Sequence, residues 1–198
     1  MEPVQFVTGT AVPLGRSDID TDQIIPSDWL KKVERTGFGK GLFSEWRDDR
    51  SFVLNDERYA GATILVAGPN FGIGSSREHA VWALVDYGFK AVVSPSFADI
   101  FRSNCTRSGL VPAEVDPATG AALLAAVTDD PTLELTIDVE RGTVSAPAAG
   151  IEARFSLDEF ATHRLLQGLD DIGLTLRLAG EIDAYEATRP DWMPSVTA

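Results

Sequence analysis

Cysteine is nearly absent from this chain. Cys105 stands alone among 198 residues, so no internal disulfide can form and no set of thiolates can hold an iron–sulfur cluster. Histidine is almost as scarce: His79 and His163 lie far apart, and with one cysteine they make no zinc-ligand spacing. No carboxylate spacing proposes a metal either, so no metal site is expected on this chain. Cations are in deficit, 17 Lys and Arg against 30 Asp and Glu, for a net charge of −13 without any basic run. That balance argues against nucleic acid as a partner, because phosphate neutralisation needs clustered Lys and Arg. No apolar run approaches membrane length, and Met1-Glu2-Pro3 carries neither the basic head nor the apolar body of a targeting signal. The expectation is a cytoplasmic protein with no membrane contact.

What the chain does have is the make-up of a globular protein, 44% apolar and 24% charged. At this length roughly 70% of the unfolded chain's surface can be buried. With no internal repeat, one domain over residues 1–198 is expected. Val4–Leu14 reads as a strand broken by Gly9 and Pro13, and Arg16–Pro26 as a polar turn bearing Asp18, Asp20 and Asp22. The stretch 27–50 holds Gly37, Gly39 and Gly41, too many glycines for a stable helix, and is expected to be a mobile loop. Residues 189–198 are expected to form a tail.

The middle of the chain changes character. Ala62–Ala67 is a continuous apolar run of strand length, as in a strand covered on both faces. A glycine-bearing loop follows, then a helix over Ser75–Tyr87 with Val81, Leu84 and Val85 on one face and Gly88 as its stop. Lys90–Ser94 is a second apolar strand, and Phe97–Ser108 a second helix closed by Gly109. That order is the pattern of a parallel sheet flanked by helices. Thr132–Glu140 alternates apolar and polar residues, and Thr143–Ala146 and Ile151–Phe155 are further short strands. Ser156 and Glu159 have capping-box spacing for a helix to Gln167, stopped by Gly168, and Thr175–Thr188 is expected to be the last helix. The fold class is α/β, a mainly parallel central sheet flanked by helices with additional short antiparallel strands.

The chemistry concentrates in Gly68-Pro-Asn-Phe-Gly-Ile-Gly-Ser-Ser-Arg-Glu-His-Ala80. This segment leaves a buried strand and enters a helix, where open parallel sheets place ligands. Gly72 and Gly74 let the backbone turn sharply and approach a bound group. Ser75 and Glu78 have capping-box spacing, so the helix is expected to begin beside Ser75, its free N–H groups and dipole favouring an anion. Arg77 in the first turn would oppose that dipole, a cost that an anionic ligand offsets. The loop reads as a carboxylate site; the plain alternative is a capped helix after a tight turn. Other glycine-loop readings fail. The third glycine of a dinucleotide fingerprint falls at Arg77, no P-loop Gly-Lys-Ser/Thr occurs, and neither serine has the second glycine of a nucleophile elbow.

Gly72-Ile-Gly-Ser-Ser-Arg-Glu-His-Ala80 resembles the GxGSSREHA motif of the swivelling domain in the aconitase superfamily. Asp18-Ile-Asp-Thr-Asp-Gln-Ile-Ile-Pro26 is similar to that domain's opening motif, and Ser96–Asn104 followed by Gly109–Pro112 to a third block. Leu165–Leu176 is similar to the C-terminal signature of the bacterial isopropylmalate isomerase small subunits. The blocks run in the family's order across nearly the whole chain. The resemblance implies a layered β/β/α swivelling domain and a hydro-lyase that dehydrates a hydroxy acid and rehydrates the alkene at the neighbouring carbon. The implied reaction is isomerisation of 2-isopropylmalate to 3-isopropylmalate in leucine biosynthesis, on a small 2-hydroxy dicarboxylate. It also implies a four-iron, four-sulfur cluster, which with one cysteine here must sit on a separate large subunit, the active site lying between the two chains.

Within that resemblance Ser75 is the base that takes the carbon-bound proton, and Ser76 and Arg77 hold a substrate carboxylate. Thr21 and Asp22 match the opening motif, where loop ordering and substrate contact are both open. Gly72 and Gly74 shape the loop; Asp99 and Asn104 order the second helix and its neighbouring turn. His79 is a supporting or packing residue, because the family's catalytic histidines belong to the cluster-bearing part. Aconitase resembles the region after Pro26 in its Trp-Leu-Lys but follows it with an arginine for the extra carboxylate of citrate, and here Lys32-Val33 stands instead. Leu30 and Val33 are therefore candidates for an isopropyl contact, which buried is worth about 1.5–3 kcal/mol, or for packing the loop. Two alternatives stay open: the small subunit of a homoaconitase or a citraconate- or methylmalate-type dehydratase, and a non-catalytic dicarboxylate-binding module.

Overall fold

The computed structural model describes residues 1–31, 36–190 and 192–193. Short β-branched and aliphatic runs make its sheet. β1 is Phe6–Pro13, β2 Ile64–Val66, β3 Ala91–Ser94 and β4 Val111–Glu114. These pair side by side in parallel, and every residue of β2 and β3 is buried, as strands covered on both faces should be. β5, Glu134–Asp138, β6, Thr143–Ala146, and β7, Ile151–Arg154, follow as antiparallel neighbours. The order is β4-β3-β2-β1-β5-β6-β7. β1 joins the two halves: Phe6–Thr10 pairs with β5, and Ala11–Pro13 pairs with β2. Its run continues through Gly9 rather than breaking there. A bridge between Glu114 and Ser156 brings the chain after β7 back to β4, so the sheet curls.

α1 is Thr21–Ile24 and α2 Ser44–Arg47; the crossover helices are α3, Glu78–Tyr87, and α4, Asp99–Ser108. The crossovers β2-α3-β3 and β3-α4-β4 step the same way across the parallel sheet, which by the general handedness of such units sets α3 and α4 on one face, and the two helices pack together. α5, Pro117–Asp129, starts with Asp116 accepting from the Thr119 N–H and a proline in the first turn, and it contacts β1, β2 and β7. α6, Glu159–Gln167, packs on α4. α7, Asp171–Leu176, and α8, Ala179–Glu186, bury no residue.

Several expectations need correction. The turn at Arg16–Pro26 contains a helix, α1, held by a complete capping box between Asp20 and Gln23. Val85 is exposed; the inward face of α3 is Ala80, Val81, Ala83 and Leu84. The cap of α6 is Asp158, accepting from the Ala161 N–H, and not Ser156. The single helix expected over Thr175–Thr188 is split, because the chain turns at Arg177. There its guanidinium donates to Gln167 Oε1 at 3.2 Å and lies 3.1 Å from His163 Nε2, folding α7 back on α6. In the glycine-rich stretch, 3-10 turns form at Ser27–Lys31 and Phe38–Gly41, and Phe38, Leu42 and Phe43 belong to the core. Here glycine serves close approach. A Cβ on Gly39 would lie 2.7 Å from the Tyr87 nitrogen, and the Gly39 N–H donates to Asp86 Oδ2 at 2.8 Å.

Candidate functional site

The loops that follow β1, β2 and β3 meet beyond the carboxyl ends of those strands. The N–H groups of Gly72 and Ile73 both donate to the Ile19 carbonyl, at 2.8 and 3.1 Å, and the Thr21 N–H donates to the Ile73 carbonyl at 2.9 Å. On the other side Phe71 donates to Ser96 O and Ala98 donates to Phe71 O, each at 3.0 Å. Gly72 and Gly74 have φ of 79° and 92°, a region that side chains rarely adopt, and a Cβ on Gly72 would strike the Phe101 ring.

A polar clasp reinforces this seam. Asp18 and Asn70 also have positive φ, 54° and 59°, and the Asn70 amide donates to Asp18 Oδ1 at 2.7 Å. Asn70 also takes the Ser96 hydroxyl hydrogen at 3.1 Å, while its own N–H donates to Ser96 Oγ at 2.9 Å. Sequence reasoning passed over Asn70 as a structural residue. Its signal was there, an asparagine just before a glycine turn, since asparagine tolerates the left-handed region best among residues with a side chain.

From this seam the chain runs out into solvent at Gly74, Ser75 and Ser76, all exposed. α3 starts at Glu78, not beside Ser75, and Arg77 is its N-cap in an extended conformation with no side-chain cap. The expected capping box between Ser75 and Glu78 therefore does not form, and the Ser75 hydroxyl is left for other work. Among the described residues no acceptor is present for the N–H groups of Gly74, Ser75, Ser76 and Arg77. Successive free N–H groups in a turn before a helix make a concavity for an anion.

Ser75 Oγ accepts a hydrogen bond from Arg77 Nε at 3.0 Å. Thr21, fully buried at 1% exposure, donates its hydroxyl hydrogen to the Ser75 carbonyl at 2.9 Å, with its oxygen 3.5 Å from Ser75 Oγ. Arg77 also forms an ion pair with Asp22; the arginine side chain is 19% exposed and the aspartate 55%. So Thr21, Asp22, Gly72, Gly74, Ser75, Ser76 and Arg77 gather at one place. A guanidinium in hydrogen-bond contact with a serine oxygen favours the alkoxide over the alcohol, as a fixed positive charge does for any developing oxyanion.

The remaining candidates make no hydrogen bond or ion pair with that group among the described residues. His79 stands edge-on to Phe38, with ring centres 5.4 Å apart, and tilted against Trp82 at 4.7 Å. Asp99 is exposed at the start of α4 and Asn104 is buried on the same helix, and no hydrogen bond joins either to the loop. Leu30 is half-buried in the 3-10 turn; Val33 falls outside the described residues. Cys105 is fully buried, and burial pushes its thiol well above the ordinary value. One interior thiol does not fit an iron–sulfur cluster, and among the described residues no three His, Cys, Asp or Glu gather to hold a metal ion. No helix among them is long and apolar enough to cross a membrane.

Comparison with known proteins gives the family and the fold. Residues 1–118 match the aconitase C-terminal domain, and residues 171–195 match the C-terminal domain of the 3-isopropylmalate dehydratase small subunit. A protein of Parafrankia named 3-isopropylmalate dehydratase small subunit is 61% identical over 98% of this chain and 99% of its own length. One of the same name from Rubrobacter xylanophilus is 57% identical over 99% and 100%. The chain belongs to the 3-isopropylmalate dehydratase small-subunit family. Members share its architecture: a crystal structure of 3-isopropylmalate dehydratase from Methanocaldococcus jannaschii, 25% identical, superposes with a TM-score of 0.65 over 91% of this chain and 99% of that one.

Proposed function

We propose that this chain supplies half of a hydro-lyase active site, a proton-accepting serine beside a carboxylate clamp, and that a large subunit supplies the rest. As a member of its family it is the small subunit of a 3-isopropylmalate dehydratase, acting in leucine biosynthesis. The observation that carries the reading is the placement of Ser75 Oγ, 3.0 Å from Arg77 Nε on an exposed loop whose N–H groups are unused. Interconverting 2- and 3-isopropylmalate requires taking a proton from one carbon and the hydroxyl from its neighbour to give the alkene and water, then adding hydroxyl to the first carbon and the proton to the second. A serine hydroxyl is a poor base until its oxyanion is stabilised, and the guanidinium does that. Having taken the proton, Ser75 Oγ is placed to give it back, so one side chain serves both half-reactions.

Ser76 and the free N–H groups are placed to receive a substrate carboxylate, with Arg77 adding paired donors. Asp22 holds the Arg77 charge in the free chain. An entering carboxylate exchanges with Asp22 or shares the guanidinium with it. In a chain of net charge −13 such a local cation is what lets a dicarboxylate dock at all. Leu30 and Val33 are the candidates for the isopropyl end. The four-iron, four-sulfur cluster belongs, on this reading, to the large subunit, since this chain has one interior thiol.

The test is a substrate panel on the chain reconstituted with a cluster-loaded large subunit. Interconversion of the isopropylmalates with the highest kcat/KM of the panel is expected, with no activity from the chain alone. Preference for homoaconitate or citraconate instead would move the assignment within the class. Dicarboxylate binding by the chain alone, with no turnover by the pair, would establish the non-catalytic module.

A further inference from the structure

The two short helices at the end of the chain lack a buried face. α7 has six residues and α8 eight, and neither buries a single one. Isolated helices below about 12–15 residues are marginal in water, and packing of an apolar face supplies most helix stability in proteins. Yet the apolar residues are present at helical spacing: Ile172 and Leu176 on α7 are 71% and 66% exposed, and Ile182 and Tyr185 on α8 are 38% and 65% exposed. Large apolar side chains left exposed on helices with no buried face point to an interaction surface.

We infer that α7 and α8 are a docking platform for the large subunit, continuous with the catalytic face; the inference rests on the function proposed above. Two observations select this occupant. The first is position. An open cleft of about 590 Å³ runs between α3 and α7, walled by Glu78, Trp82 and Val85 on one side and Asp170, Asp171 and Ile172 on the other. Glu78 follows Arg77 directly, so a partner that completes the site at Ser75 lies against the mouth of this cleft. The second is distribution. The part of the chain that carries the site, 1–118, matches the aconitase domain, whereas residues 171–195 match a model belonging to the small subunit of the dehydratase. The added segment thus goes with the chain that must find its other half as a separate molecule. Even with Asp171 paired to Arg164, the acidic residues Asp170, Glu181, Asp183 and Glu186 outnumber Arg177 and Arg189 there, so the matching surface of the large subunit is apolar with a basic rim.

The experiment measures association of the full-length chain with the large subunit by calorimetry, alongside light scattering of each protein alone. Two double variants, Ile172→Glu with Leu176→Glu and Ile182→Glu with Tyr185→Glu, change only exposed side chains, and circular dichroism checks that the chain still folds. Phe6→Ser, at a 55% exposed apolar residue on β1, is the control for general stickiness. Each double variant is expected to weaken association at least about tenfold, as loss of large apolar anchors does. Phe6→Ser should not, and kcat at saturating large subunit should be kept. Undiminished association of both double variants overturns the inference. So does a dimer of the chain alone that the double variants dissolve, which would give the face to a second copy. Because association is read directly, a pair that binds normally but turns nothing over would count against the proposed chemistry and leave the docking result standing.

Discussion

Replacing Arg77 by lysine separates charge from geometry at the site. The guanidinium does two things at once: Nε donates to Ser75 Oγ at 3.0 Å, and another nitrogen pairs with Asp22, where a substrate carboxylate is expected. An ammonium keeps the charge but is a single point, and it cannot hold the serine oxygen and present a planar fork together. A hydrogen bond to a charged group contributes about 1.5–3 kcal/mol. Losing one such bond to the serine oxyanion lowers kcat by roughly 10- to 150-fold, since each 1.36 kcal/mol is tenfold in rate. Losing the fork on the carboxylate raises KM as well, so kcat/KM should fall by about 10² to 10³. The assay is initial-rate alkene formation by the reconstituted pair, with subunit association measured in parallel. A fall in kcat/KM below about fivefold, with association intact, refutes the claim that one guanidinium serves both the serine and the substrate.

Other expectations follow from single contacts. Gly39→Ala puts a methyl 2.7 Å from the Tyr87 nitrogen and 2.9 Å from the Asp86 carbonyl carbon. Backbone atoms cannot step aside, so a cost of about 1–3 kcal/mol should show in urea unfolding, and an unchanged midpoint would contradict the close packing. Asn70→Ala removes the clasp to Asp18 and Ser96 while keeping a side chain at φ 59°, whereas Asn70→Gly removes the clasp but relieves the backbone. The alanine variant should be the less stable by about 1–2 kcal/mol, and equal melting temperatures would show that the conformation costs nothing there. The Asp116 carboxylate is held below its ordinary pKa by the Thr119 hydroxyl and then the Thr119 N–H. With the folded pKa lower than the unfolded one, its contribution is present above about pH 4 and lost as the pH falls through the folded value. Asp116→Ala should therefore lower the urea midpoint at pH 7 and converge on the parent in acid; a constant difference would place the cause elsewhere.

The strands were legible because β2 and β3 are short, rich in β-branched residues and almost wholly apolar, Ser94 being the one polar residue, as strands buried on both faces are. The stops at Gly88, Gly109 and Gly168 were legible too, all three having positive φ. Helix starts were harder. Serine with glutamate three residues on suggests a cap twice, at Ser75 and at Ser156, and the chain uses neither. At Ser156 a better acceptor, Asp158, stands two residues later. At Ser75, Gly74 turns the chain outward at φ 92° and Arg77 stays extended, so the helix begins three residues late. A capping box is present where none was expected, between Asp20 and Gln23, because a single four-residue helix leaves no periodic trace. β4 and α5 went unread although Asp116-Pro117 is a cap-and-proline start. The motif holds Ser75 and Arg77 two positions apart, but their contacts with Thr21 and Asp22 span 54 and 55 positions in sequence, and only the fold brings those together.

The central claim is that the Ser75 hydroxyl is the proton acceptor and not a cap or a simple binding group. Ser75→Ala in the reconstituted pair tests it directly, with kcat and the substrate dissociation constant measured on the same preparation. The account predicts a fall in kcat of at least about 10³-fold, within the range that general bases contribute, with the dissociation constant changed by no more than about threefold. A kcat within about tenfold of the parent would contradict it, whatever happens to binding.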